Sequence, residues 1–198
     1  MDVFEYGEKE IAYLKKVDPI LKEWIKEVGY IEREVTPNIY ESLVESIVSQ
    51  QISLQAQKTI LQRLKKKVKN IRPKNVDELS FEELKSVGLS ERKTEYIKEL
   101  TQKFLSKEIV GAKLRKKSDQ EIIETLIKLR GVGKWTAEMT LLFSLQRTDI
   151  LSYDDLGIRR GICLLYGLKS VSKEEFEVYR KRFSPYASVA SFYLWEKR

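Results

Sequence analysis

Leu129-Arg130-Gly131-Val132-Gly133-Lys134-Trp135-Thr136-Ala137 is the stretch on which the reading of this chain turns. The segment from Ile122 to Leu142 reads as helix, glycine turn, helix. Two glycines one residue apart permit a tight turn and leave the backbone bare. Amides after Gly131 then stand at the start of a helix, where partial positive charge gathers, so they suit a phosphate. Lys134 adds a charge beside them. A Gly-x-Gly corner serves plain helix packing equally well, and the stretch alone leaves both readings open.

Outward from this turn the signals remain helical. Asp18-Pro19 offers a cap with proline at the first helical position, and Gly29 offers a stop. Thr36-Pro37 repeats the start signal, and Leu43, Val44, Ile47 and Val48 follow at helical spacing. Ile60, Leu61, Leu64 and Val68 form a second stripe. Ser80 with Glu83, Ser118 with Glu121 and Ser172 with Glu175 have the spacing of capping boxes. Gly88 and Gly167 read as helix ends, and Ser90 as a start that carries Tyr96, Ile97 and Leu100 inward. Alternating strand patterns with two-residue hairpins are absent. The expectation is an all-α fold of nine to eleven short helices, without internal repeats.

Composition bounds the chemistry. The 198 residues carry 37 Lys and Arg against 30 Asp and Glu, a net charge of +7. That balance favours an anionic partner, nucleic acid first, although a lysine-rich surface has the same composition. The single cysteine, Cys163, excludes an internal disulfide, a cysteine-ligated iron–sulfur cluster and a zinc ribbon. With no histidine at all, any catalysis falls to carboxylates, lysines, hydroxyls or backbone groups. Met1-Asp2-Val3-Phe4-Glu5 does not read as a signal peptide. No apolar run approaches the roughly 18 residues of a membrane helix. The expectation is an intracellular protein, cytoplasmic and nucleoid-associated, with no membrane partner.

The run from Leu129 to Ala137, followed beyond a hydrophobic helix by Asp154-Asp155, resembles the helix-hairpin-helix-GPD superfamily of DNA glycosylases. Within it the likeness is to the 3-methyladenine DNA glycosylase II branch. Gly133 and Asp155 lie 22 residues apart, close to that family's spacing of hairpin and aspartate. Ser152-Tyr153-Asp154-Asp155 lacks the proline that relatives often place before the acid pair. Three further segments resemble the branch: Ile47-Val48-Ser49-Gln50-Gln51-Ile52-Ser53, Gly88-Leu89-Ser90-Glu91-Arg92-Lys93, and Pro185-Tyr186-Ala187-Ser188 with Leu194-Trp195. The likeness spans roughly residues 18–195.

The resemblance implies two helical lobes with an active-site cleft between them. One lobe is a helical barrel over 37–149, with the hairpin at about 121–142; the other combines 1–36 with 150–198. Helix signals begin by about Glu8, so the N-terminal β-domain of the larger relatives is not expected in this sequence. The resemblance makes Asp155, the second acid, the catalytic carboxylate. On local grounds alone, either Asp154 or Asp155 could simply cap the helix that follows.

Trp135, Trp195 and Met139 occupy positions like the branch's base pocket, where an electron-rich ring suits a cationic alkylated purine. Both tryptophans also fit an ordinary core. Tyr40, Trp24, Tyr153 and Tyr186 are further aromatic candidates. Gln51 matches the residue that fills the gap left by a flipped base, and Gly131, Val132, Gly133 and Lys134 match the phosphate-binding turn. Lysine clusters at 65–67 and 113–117 could touch phosphate or face solvent.

Strand-nicking relatives carry a Schiff-base lysine two residues after the second hairpin glycine. Trp135 stands there, and Lys134 would point about 100° away, so no AP lyase activity is expected. No cofactor is required. A structural Na⁺ or K⁺ at the carbonyls of Ile127, Leu129 and Val132 is implied by the resemblance.

The expected function is monofunctional excision of 3-methyladenine and 7-methylguanine in base excision repair, by a monomer acting on double-stranded DNA with damaged bases. Two alternatives remain: a glycosylase for an oxidised or deaminated base, and a non-enzymatic DNA-binding module.

Overall fold

A computed structural model describes residues 2–197. Among them the regular secondary structure is helical, apart from one isolated antiparallel bridge between Val3 and Glu34. It begins with α1 (Glu8–Val17) and α2 (Pro19–Val28). There follow α3 (Ile39–Ser49), α4 (Leu54–Val68), α5 (Pro73–Asp77), α6 (Phe81–Lys85), α7 (Glu91–Leu105), α8 (Gly111–Leu114), α9 (Asp119–Leu126) and α10 (Lys134–Phe143). The last three are α11 (Leu156–Tyr166), α12 (Lys173–Phe183) and α13 (Ala187–Glu196). The total exceeds the expected nine to eleven because α5, α6 and α8 hold only four or five residues. Helices that short show no apolar periodicity.

Most starts follow the expected local chemistry. Asp18 accepts from Leu21 N–H at 2.7 Å ahead of Pro19, and all three Ser/Glu capping boxes close. Thr36-Pro37 does not start a helix. Asn38 caps α3 by accepting from Glu41 N–H at 3.1 Å, because asparagine ranks with the best capping residues.

The chain divides into two compact units. One runs from Thr36 to Thr140; the other joins the residues up to Val35 with those from Leu141 onward. The division falls inside α10.

Each unit is organised on one deeply buried helix. In the Thr36–Thr140 unit it is α3, with Tyr40, Leu43, Val44, Ile47 and Val48 all buried. Tyr40 lies edge-on to Phe104, and its hydroxyl is 2.7 Å from Thr101 Oγ1.

In the other unit it is α13, where every residue from Ala187 to Leu194 is buried. Such a helix cannot be amphipathic, so its serines need partners inside the core. Ser191 donates to the carbonyls of Ile150 and Ala187, each at 3.0 Å. Ser188 Oγ donates to Arg147 O at 2.5 Å and accepts from Ile150 N–H at 2.9 Å.

Helices α11 and α13 meet at Gly161, where an added Cβ would stand 2.2 Å from the backbone oxygen of Leu194. Backbone cannot yield as a flexible side chain can. Gly161→Ala should cost about 2–3 kcal/mol, lowering the thermal midpoint by roughly 5–10 °C at ~2–4 °C per kcal/mol for a chain of this size. Gly111→Ala is the control: its Cβ would find only Ile39 Cδ1 at an ordinary 3.5 Å. Equal melting temperatures for the two variants would refute the close-packing argument.

Candidate functional site: the glycine hairpin and the capped aspartate

The hairpin forms between α9 and α10, where Val132 N–H donates to Leu129 O at 3.1 Å to close the turn. Its two glycines are there for different reasons. Gly131 adopts φ +80°, and a Cβ on it would lie 2.3 Å from Tyr96 Cδ2. It is demanded by both backbone and packing. Gly133 has neither constraint: its φ is not positive, and a Cβ would meet nothing within 4 Å. Packing gives no reason for a glycine at 133, and its effect is to leave the start of α10 bare. Lys134 is exposed and pairs with Glu138 one turn on, at 3.6 Å. Trp135 is 39% exposed, whereas Met139, four residues along α10, is buried.

The loop after α3 is tied to this turn. Gln50 donates through Nε2 to Gly131 O at 2.7 Å. Lys93 Nζ donates to the carbonyls of Val48 and Gln50 at 2.8 and 2.6 Å, placing a cation on the C-terminal end of α3. Partial burial holds the Lys93 ammonium below the ordinary lysine range. Fastened on both sides, the loop carries Gln51 at φ +55°, exposed to solvent. A cavity of about 360 Å³ adjoins it, lined by Gln51, Ser90, Arg92, Tyr96 and Gly131 among others.

The sequence reading missed Gln50 and Lys93 and placed Tyr96 in the core. Tyr96 instead lies under the hairpin, with Arg92 Nε 2.5 Å from its hydroxyl and the Arg130 guanidinium 5.2 Å from its ring. Its spacing on α7 matched the apolar face, but the arginines that claim it come from one turn earlier and from the hairpin.

The other unit holds the acid pair. Asp154 is exposed and Asp155 is 8% exposed. Asp155 is the residue that caps α11: its Oδ1 accepts from Ile158 N–H at 2.8 Å. The same oxygen accepts from Trp195 Nε1 at 3.0 Å. Two residues the sequence proposed for one site, Asp155 and Trp195, are thus in direct contact. The Trp195 ring is packed between other groups of this unit. Phe143 stacks on it at 5.9 Å, and the Arg33 guanidinium lies 5.8 Å from its centroid. Arg33 is held in turn by Glu196 at 2.9 Å.

The remaining aromatic candidates are engaged within their own units. Tyr40 is core, and Trp24 donates to Tyr193 O at 2.8 Å. Tyr153 meets Phe176 edge-on, and Tyr186 meets Tyr13 likewise. Of the basic clusters, Lys65 pairs with Glu41 and Glu45, and Arg115 donates to Pro37 O at 2.6 Å. No helix among the described residues is long and apolar enough to cross a membrane.

A helical chain with a bare-backbone hairpin and a buried acid on a later helix has the parts of a DNA-repair fold, and comparison with known proteins gives the class. The chain belongs to the HhH-GPD superfamily of base excision DNA repair proteins, whose profile matches residues 44–185. It is 32% identical to DNA-3-methyladenine glycosylase 1 of Schizosaccharomyces pombe, over 79% of this chain and 71% of that protein. It is 30% identical to the alkylbase DNA glycosidase-like protein of the same yeast, over 93% and 90%. Among solved structures it is similar to the DNA-3-methyladenine glycosidase of Bacillus halodurans, with a TM-score of 0.86, 34% identity and coverage of 99% and 92%. It is also similar to the 3-methyladenine DNA glycosylase of S. pombe in complex with abasic DNA, with a TM-score of 0.82, 31% identity and coverage of 96% of each chain.

The cap gives a test that separates folding from chemistry. Asp155→Ala should lose about 1 kcal/mol in urea unfolding, whereas Asp155→Asn, with an equally good capping oxygen, should lose far less. Equal losses would mean that the carboxylate does not act as the cap.

Proposed function

We propose that this protein is a monofunctional DNA glycosylase that removes alkylated purines, 3-methyladenine and 7-methylguanine, from double-stranded DNA in base excision repair. The observation that carries the reading is Asp155, a buried aspartate at a helix N-terminus whose carboxylate is fixed by donors from two sides. As the C1′–N bond breaks, its electron pair leaves with the base and positive charge builds on the deoxyribose. A fixed anion lowers that barrier without reorganising. Water then bonds to C1′, and Asp155 orients it and takes up its proton. An alkylated purine already carries positive charge and departs neutral, so the purine itself needs no protonation. The relatives named as 3-methyladenine glycosylases support this substrate class.

Trp135, Trp195 and Met139 are assigned to the base pocket, Gln51 to the gap left by the extruded base, and Gly131, Val132, Gly133 and Lys134 to phosphate. Because the Val132 amide is spent inside the turn, the phosphate falls to the amides at Gly133 and Lys134. The carbonyls of Ile127, Leu129 and Val132 are a neutral, all-oxygen set. Their chemistry fits Na⁺ or K⁺, which would add positive charge beside that phosphate. The protein acts as a monomer, in the cytoplasm at the nucleoid.

The deciding experiment is release of 3-methyladenine and 7-methylguanine from methylated duplex DNA. Wild type should release both, Asp155→Asn neither, and borohydride should trap no covalent adduct because position 135 offers no lysine. Tight binding without release from any lesion would leave a DNA-binding module in place of an enzyme. Lys134→Gln should weaken binding on all sequences alike and reduce the salt slope of log K by roughly 1.

A further inference from the structure

We infer that Trp195 is a positioning residue for Asp155, acting through its indole N–H, and that Gly157 is the glycine that admits it. The inference rests on the catalytic reading of Asp155. A capping aspartate needs only the helix amide, and Ile158 N–H supplies that at 2.8 Å. Trp195 Nε1 approaches the same Oδ1 at 3.0 Å from 40 residues further along the chain. One oxygen receiving two donors from different directions has its torsion fixed, which a cap alone does not achieve.

The contact is built into the surrounding packing. Gly157 lies in the first turn of α11 with no positive φ, so its conformation does not call for glycine. Space does: an added Cβ would stand 2.9 Å from Trp195 Cδ1, 3.1 Å from Asp155 Oδ1 and 3.2 Å from Trp195 Nε1. Any side chain at 157 would occupy the place where the indole meets the carboxylate. One turn on, Gly161 removes the Cβ that would hold α13 away from α11. The ring cannot turn aside, since Phe143 stacks on it at 15° to its plane and the Arg33 guanidinium lies 5.8 Å from its centroid. The edge bearing the N–H is the part of Trp195 that faces the proposed chemistry. A mobile carboxylate would lose electrostatic preorganisation at the moment the sugar cation forms.

The test is Trp195→Phe, which keeps an aromatic ring beside Phe143 and removes the donor. Single-turnover release of 7-methylguanine should slow on the order of ten-fold, the loss expected for a hydrogen bond to a charged group. Affinity for a duplex carrying an uncleavable 2′-fluoro analogue of the 7-methylguanine nucleotide should stay within about two-fold, because phenylalanine keeps an aromatic face and only the N–H donor is lost. Gly157→Ala should reproduce that split with Trp195 intact. Wild-type release by Trp195→Phe overturns the inference. So does a fall in affinity that matches the fall in rate, since a stacking wall would behave that way. Full release by Asp155→Asn would instead remove the underlying catalytic reading, and the two failures are told apart by which variant stays active.

Discussion

Helices α11 and α13 approach so closely at Gly161 that a single methyl group there would collide with the backbone oxygen of Leu194. The unit built from the two ends of the chain depends on that approach. With α11 against it, α13 can bury every residue from Ala187 to Leu194 and serve as the unit's core. The close approach also fixes where α13 ends. One residue past Leu194, Trp195 arrives at the N-terminus of α11, where Asp155 is the cap. Core packing and the placement of the acid are therefore one arrangement, and the glycines at 157 and 161 stand one turn apart on α11 because both face α13.

The Thr36–Thr140 unit uses a different device for its exposed backbone. Its hairpin is seated on the Tyr96 ring through Gly131, and Gln50 binds the carbonyl of that same glycine. Lys93 holds the other side of the Gln50–Gln51 loop through two carbonyls. A loop end carrying a non-glycine residue at positive φ is costly unless its surroundings fix it, and here two long side chains do so. Gln51 and the bare start of α10 thus rest on one rigid support, which is what the DNA-contacting role proposed for them requires.

Much of this is legible in the amino-acid sequence. The caps at Asp18, Ser80, Ser118 and Ser172 and the stops at Gly29 and Gly167 are contacts within a few residues, so their spacing in the chain is their geometry. The preference for Asp155 over Asp154 came from resemblance, since both could cap on local grounds; the structure shows that Asp155 is the buried cap. Other expectations failed where local rules compete. Asn38 displaced Thr36-Pro37 as the start of α3, and Tyr96, on an apolar spacing, was drawn out of the core by arginines at 92 and 130.

The sequence by itself determined the helical class, most helix starts, the absence of histidine and disulfide chemistry, the hairpin, and tryptophan in place of lysine at 135. Each of these is a property of residue type or of spacing within about one helical turn. Only the tertiary structure decided which hairpin glycine is sterically required, that Lys93 and Gln50 hold the loop before Gln51, and that Trp195 donates to Asp155. Those contacts join residues 35 or more positions apart. No local periodicity encodes them, because they arise where helices that fold by local rules are brought side by side by the burial of their apolar faces.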